Sequence, residues 1–102
     1  MTAGKRVHER FDVRLPVTLL LPSGDVVAVT RNASLGGFFV ETTENVAFGS
    51  TLTLRVRLPA LHEDSELEVT VRWKTPEGIG VQFGSLRALD VWGLNQLAKA
   101  GG

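Results

Sequence analysis

Two arginines four positions apart stand ahead of the first strand-like segment of the chain. On a turn of helix, positions such as those of Arg6 and Arg10 face the same way. Like charges placed there repel by about 0.2–0.5 kcal/mol unless an anion lies between them. The planar guanidinium group matches both a phosphate and the O6/N7 edge of guanine. The pair therefore indicates an anionic ligand. The alternative interpretation is an arm whose charged side chains are solvated and bind nothing.

A second group of candidate ligand-binding residues lies in segment 32–37, which has the sequence NASLGG. The side-chain oxygen of Asn32 can accept hydrogen bonds from a base, and the hydroxyl of Ser34 can donate or accept. Gly36 and Gly37 allow the backbone a close approach or a positive φ. Asn32 could equally be a turn residue, because asparagine side chains bond the local backbone. Together with the arginines, the segment favours one divided site for an anion and a guanine.

The order Arg-x-x-x-Arg and then Asn-x-Ser-x-x-Gly resembles the motif of PilZ domains, which are bacterial receptors for cyclic di-GMP. The similarity extends to Phe11 after the second arginine, to the strand end 71–73 (VRW), and to segment 78–83 (GIGVQF), which is similar to the family's closing strand. Each half of the motif is common by chance. Their joint order, spacing and strand context make the resemblance specific, and it covers residues from about 5 to 84.

The resemblance implies a set of ligand-binding residues. Arg6 and Arg10 would hold the phosphate and guanine edges of cyclic di-GMP, while the strand-end residues Asn32, Ser34 and Gly37 would hold a base from the other side. The family pattern accepts Asp or Asn at position 32. An amide has one accepting oxygen and no charge, so we expect affinity lower by up to about 1.5 kcal/mol than with aspartate.

Three further residues are candidates for the same site, namely Lys5, Gly36 and Trp73. Some family members carry arginine at the position of Lys5 and bind an intercalated ligand dimer. Lysine has no planar group to stack on a base and no rigid pair of donors, as arginine has. This difference favours a single bound ligand. Trp73 has two interpretations: alternation with Val71 directs it into the core, which we favour, yet at a strand end an aromatic ring could flank a bound base.

Composition limits the classes of function. At 102 residues the chain is one domain, and its 11 basic and 11 acidic residues cancel, so net charge does not favour nucleic acid or a membrane surface. The absence of cysteine excludes disulfides, thiolate metal sites and a cysteine nucleophile. No segment approaches the roughly 18 apolar residues that span a bilayer, and no secretory signal is evident. We therefore expect a cytoplasmic protein.

Alternating apolar residues predict a mainly β fold. We predict a small six-stranded antiparallel β-barrel, PilZ-like, followed by a C-terminal α-helix with Ser85 as its N-cap. Residues 1–12 would form a flexible basic arm that carries the Arg-x-x-x-Arg motif, and residues 13–102 the barrel and helix. The expected strands are 13–21, 26–33, 38–42, 51–58, 66–73 and 79–83, and the expected apolar stripe of the helix is Leu86, Leu89, Trp92, Leu94 and Leu97.

Catalysis is not expected. Ser34 lacks the first glycine of a Gly-x-Ser-x-Gly nucleophile elbow and has no evident general base. His8 and His62 belong to no spaced metal or triad motif. We thus expect no catalytic residue, no metal and no cofactor.

The leading hypothesis is a stand-alone receptor that binds cyclic di-GMP and signals by ligand-dependent contact with an unknown protein partner. The alternative is a PilZ-like adaptor that works by protein contact without the nucleotide. A barrel that binds single-stranded nucleic acid would need a positive groove with exposed aromatic residues. Zero net charge and the absence of tyrosine disfavour it.

Overall fold

The computed structural model of the chain describes residues 10–101. Seven strands precede one helix, so the predicted mainly β fold with a C-terminal helix is confirmed. The elements are β1 (Phe11–Asp12), β2 (Pro16–Leu21), β3 (Gly24–Ala33), β4 (Gly37–Glu41), β5 (Thr51–Val56), β6 (Ser65–Thr75), β7 (Gly78–Phe83) and α1 (Ala88–Gly101).

Six of the strands close into an antiparallel barrel. The hydrogen-bonded order is β3-β2-β5-β6-β7-β4, and β4 pairs back onto β3. Closure leaves none of these six strands with an unpaired edge. The short strand β1 pairs with the last two residues of β3, beyond Val29, which is opposite the first residue of β2. The six-stranded barrel is thus confirmed, with β1 as an addition. Residues 1–9 of the predicted arm lie outside the described residues, and residues 11–12 of it form β1.

The barrel interior is filled by alternate side chains of the strands. Leu52, Leu54 and Val56 of β5 are buried, as the period of two predicts. In the same core the rings of Phe38 and Phe83 meet edge to face, with their centroids 4.9 Å apart. The inward residues of β6 up to Val71 follow the same pattern. Removing these apolar surfaces from water is the main stabilising contribution to the barrel.

The helix differs from its predicted form. It begins at Ala88 rather than beside Ser85, and its buried face is Asp90, Gly93, Leu94 and Leu97, the i, i+3, i+4, i+7 set of one helical face. The predicted stripe is therefore wrong in part, because Leu89 and Trp92 are exposed, at 45% and 50%.

A buried acid explains why the helix buries a different face from the predicted one. The Asp90 carboxylate accepts hydrogen bonds from the Ser65 hydroxyl at 2.6 Å and from the Arg87 guanidinium at 2.9 and 3.0 Å. The Arg87 bond, followed by that of Ser65, lowers the pKa of Asp90 despite its burial. A carboxylate also suits the first turn of a helix, where the macrodipole is positive. The face that carries Asp90 therefore packs on the barrel, and Leu89 and Trp92 lie to its side.

Two β-bulges redirect side chains on the outer surface. The β3–β4 register shifts between Thr30 and Asn32, and the β6–β7 register shifts between Val71 and Trp73. Thr30 and Val71 are fully buried. An extra residue in one strand reverses the alternation beyond it, so the residue two positions later points outward in each case. Trp73 is 40% exposed, and the interpretation of this ring as a core residue is wrong.

Candidate functional site

Four residues lie side by side across four neighbouring strands on the outside of the barrel. Asn32 of β3 is opposite Phe39 of β4, Phe39 is opposite Gly80 of β7, and Gly80 is opposite Trp73 of β6. Directly opposed residues on neighbouring strands share a face of the sheet. We call these four residues the outer row. The two bulges place its end members, Asn32 and Trp73, on this surface.

Arg10 reaches both ends of the outer row. Its Nη1 donates a hydrogen bond to Asn32 Oδ1 at 3.0 Å, and its guanidinium carbon lies 5.3 Å from the centroid of the Trp73 ring. The second distance is that of a cation–π contact. Partial burial lowers the pKa of Arg10, yet an arginine stays charged at any physiological pH. The contact joins the second arginine of the first motif half to the asparagine of the second, 22 positions away.

Gly80 sets the position of the Trp73 ring. A Cβ at Gly80 would overlap Cε2, Cζ2 and Cδ2 of the indole. The ring thus rests directly against the β7 backbone, and the Arg10 guanidinium also contacts it. Gly80 is a site residue that the sequence analysis missed. Its signal was a glycine inside a predicted strand, which marks close approach of another group to the backbone.

Phe39 forms the apolar floor between the two ends of the row. It is 6% exposed although it lies outside the core, because the Arg31 guanidinium covers its ring at 4.9 Å. Glu41 accepts from Arg31 at 2.8 Å and from Arg14 at 3.0 Å. Hydrogen bonds from Arg14 and Arg31 lower the pKa of Glu41 to about 2. The charge of Arg31 is thus compensated by a carboxylate, whereas Arg10 has a neutral partner.

Segment 34–37 forms a tight loop beside Asn32. The Ser34 hydroxyl accepts from the backbone N–H groups of Gly36 at 3.0 Å and Gly37 at 3.2 Å, and the Ser34 N–H donates to the Gly37 carbonyl at 2.8 Å. Ser34 is only 4% exposed, so its hydroxyl shapes the loop. A Cβ at Gly37 would overlap the Val81 carbonyl oxygen, and this close approach of β4 to β7 requires glycine there.

The structure brings some of the predicted site residues into contact. Arg10, Asn32 and Trp73 touch one another in a chain of contacts, and Ser34, Gly36 and Gly37 form the adjoining loop. Lys5 and Arg6 lie outside the described residues. Within 10–101, no group of three His, Asp or Glu side chains could hold a metal ion. Over the same range, the helix is neither long nor apolar enough to cross a membrane.

Comparison with solved structures finds the same fold in several chains, including the following three. The inhibitor of motility MotI/DgrA from Bacillus subtilis superposes with a TM-score of 0.74 at 26% identity, over 93% of this chain and 50% of that one. The PilZ domain of CeSA from a cellulose-synthesizing bacterium gives 0.68 at 17% identity, over 87% and 93%. MrkH from K. pneumonia, solved as a complex with c-di-GMP, gives 0.73 at 16% identity, over 94% and 52%.

The chain spans about half the length of MotI and MrkH and nearly all of the CeSA domain. At 16% and 17% identity, MrkH and CeSA show a common fold. No curated relative matched. The family model of the PilZ domain matches residues 4–98, which include both motif halves and every strand. The chain therefore belongs to the PilZ domain family.

Proposed function

We propose that this domain is a receptor for cyclic di-GMP. The observation that carries the proposal is the hydrogen bond from Arg10 to Asn32, because it joins the two halves of the motif on one surface. MrkH, which has the same fold, was solved with this nucleotide. The ligand carries two phosphates and two guanines, and a receptor for it needs both cationic and stacking groups.

Arg10 has a geometry suited to both parts of the ligand. One face of its guanidinium rests on Trp73, which leaves the other face for a guanine ring. Only Nη1 bonds Asn32, and the remaining N–H groups can donate to a phosphate or to the O6/N7 edge of guanine. Trp73 and Asn32 thus hold Arg10 in position before the ligand arrives, which lowers the entropic cost of binding.

The remaining residues would enclose the ligand from two sides. Asn32 Oδ1 accepts one hydrogen bond from Arg10 and has a second lone pair that would accept from a base. The loop of Ser34, Gly36 and Gly37 would offer its backbone as a rim. Arg6 would complete the clasp on the phosphates, and Lys5 would add a cation there. We propose a single bound ligand molecule, because Lys5 lacks the planar group that stacks between bases.

We propose that the liganded domain signals by protein contact in the cytoplasm, and that it is not an enzyme. The described residues offer no metal-binding group, and the one candidate nucleophile, Ser34, has its hydroxyl turned to the loop backbone. A second candidate function is an adaptor that contacts a protein without the nucleotide. MotI, a structural relative with about twice the chain length, is an inhibitor of motility, and a regulatory role of this kind is compatible with such an adaptor.

Calorimetric titration with cyclic di-GMP tests the proposal. Arg10→Ala removes hydrogen bonds to charged groups that are worth about 1.5–3 kcal/mol, so we expect affinity to fall roughly ten- to a hundredfold. The matched control is Arg57→Ala, since Arg57 is an exposed arginine paired with Asp64 on another part of the barrel. Equal affinities of wild type and Arg10→Ala would refute the site, and no heat at millimolar ligand would favour the adaptor.

A further inference from the structure

The pairing of arginines is uneven across the described part of the chain. Of the seven arginines in 10–101, five form an ion pair with a carboxylate, at distances of 2.8 to 3.5 Å. Arg10 and Arg72 are the two that have no carboxylate partner in this range. The paired ones are Arg14 and Arg31 with Glu41, Arg55 with Glu66, Arg57 with Asp64, and Arg87 with Asp90 and Glu63.

Both arginines without a carboxylate adjoin Trp73. Arg10 lies over its ring, and Arg72 is the residue at which the β6 bulge occurs, immediately before Trp73. Bulges re-aim side chains next to functional sites. Both arginines that lack a carboxylate partner within 10–101 thus lie at the Trp73 end of the outer row.

The Arg72 side chain is directed towards the glycine loop. Its Nε donates to Gln82 Oε1 at 2.6 Å, and Gln82 lies opposite Gly37 on β4. The next residue, Phe83, donates its N–H to the Gly36 carbonyl at 2.9 Å. A glutamine orients the guanidinium without neutralising it, and the terminal Nη1 and Nη2 groups keep their donors.

We propose that Arg72 is a further ligand-binding residue, which holds a phosphate of the nucleotide from the side of β6. The inference rests on the proposed function. Two uncompensated guanidinium groups at one site repel each other, and a doubly charged anion relieves this repulsion. Arg10 and Arg72 would together match the two phosphate charges of cyclic di-GMP, with Gln82 as the residue that positions Arg72.

Substitutions at position 72 test whether ligand binding depends on the positive charge of Arg72 or on the planar shape of its guanidinium group. We expect Arg72→Ala to weaken binding of cyclic di-GMP about tenfold in calorimetry. Arg72→Lys keeps the charge and should stay within about threefold of wild type. Gln82→Glu supplies Arg72 with a carboxylate, so it should weaken binding about as much as Arg72→Ala and add little to it in the double variant. Arg57→Ala is the control and should bind as wild type does, and thermal melts confirm that each variant folds.

The results distinguish this inference from the proposed function. If wild type binds and Arg72→Ala binds equally well, Arg72 makes no contact with the ligand and the inference is overturned. If Arg72→Lys is as weak as Arg72→Ala, a positive charge at position 72 does not restore binding, and the inference from uncompensated charge is overturned. If wild type itself fails to bind, the proposed function fails first and the inference falls with it.

Discussion

Replacing Gly80 with alanine tests whether the Trp73 ring matters for the site. The added methyl group would overlap three atoms of the indole, so the ring must leave the β7 backbone. The inward side chains of the barrel do not change, and we expect the fold to persist. The Arg10 guanidinium then loses the ring that lies 5.3 Å from it, together with the order that this contact imposes.

The size of the effect follows from the exposure of the ring. Trp73 is 40% exposed, and a cation–π contact at such a site contributes about 1 kcal/mol. That corresponds to about a fivefold loss of affinity for cyclic di-GMP, less than the loss expected for Arg10→Ala. The matched variant is Gly78→Ala, because a Cβ there would overlap the backbone carbonyl of Val40. It should lower the melting temperature much more than Gly80→Ala does.

Tryptophan fluorescence and calorimetry provide the assay. In a Trp92→Phe background, Trp73 is the only tryptophan, and its emission should shift to the red when alanine displaces the ring. Calorimetry on the same protein gives the affinity. If the emission is unchanged, the ring does not rest on Gly80. If the emission shifts and the affinity stays at the wild-type value, the stack of Trp73 and Arg10 does not support ligand binding.

Two further substitutions test the electrostatics of the surface. Asn32→Asp should tighten binding of cyclic di-GMP by up to roughly tenfold, because a carboxylate offers the base two charged accepting oxygens where the amide offers one neutral oxygen. A calorimetric affinity at or below that of wild type would contradict this. Glu41 has a pKa lowered to about 2 from an ordinary 4.5, so it stabilises the fold above pH 4.5, and this contribution is lost as pH falls from 4.5 towards 2. Urea unfolding of Glu41→Gln should therefore show a weaker pH dependence in that window, and an unchanged slope would refute the coupling to Arg14 and Arg31.

The barrel could be predicted because its strands obey local rules. Alternation in Leu52, Leu54 and Val56 identifies an inward face without knowledge of the partner strands. The turns at 22–23 and 76–77 carry proline and polar residues that mark chain reversal. Such signals depend on a few neighbouring residues, and the structure confirms the strands they predict.

The failures concern features that depend on contacts distant in sequence. The bulge at Arg72 is a property of the pairing between β6 and β7, so alternation from Val71 gave the wrong face for Trp73. The buried face of the helix depends on Ser65, whose hydroxyl donates a hydrogen bond to Asp90, 25 positions later in the sequence. A glycine inside a strand indicated a close approach at Gly80, but the group that approaches it, Trp73, is known only from the structure. Arg10 and Asn32 are also distant in sequence, but they could be predicted to lie in one site because both belong to the motif that the chain shares with the PilZ family.

A nuclear magnetic resonance titration with cyclic di-GMP tests the central claim most directly. The chain has two tryptophans: Trp73 lies in the outer row, and Trp92 lies exposed on α1, so the second serves as an internal control. Ligand should shift the indole N–H of Trp73 and the side-chain amide of Asn32, and leave the indole N–H of Trp92 in place. A titration in which Trp73 and Asn32 stay unchanged at millimolar ligand, or in which only Trp92 moves, would contradict the account.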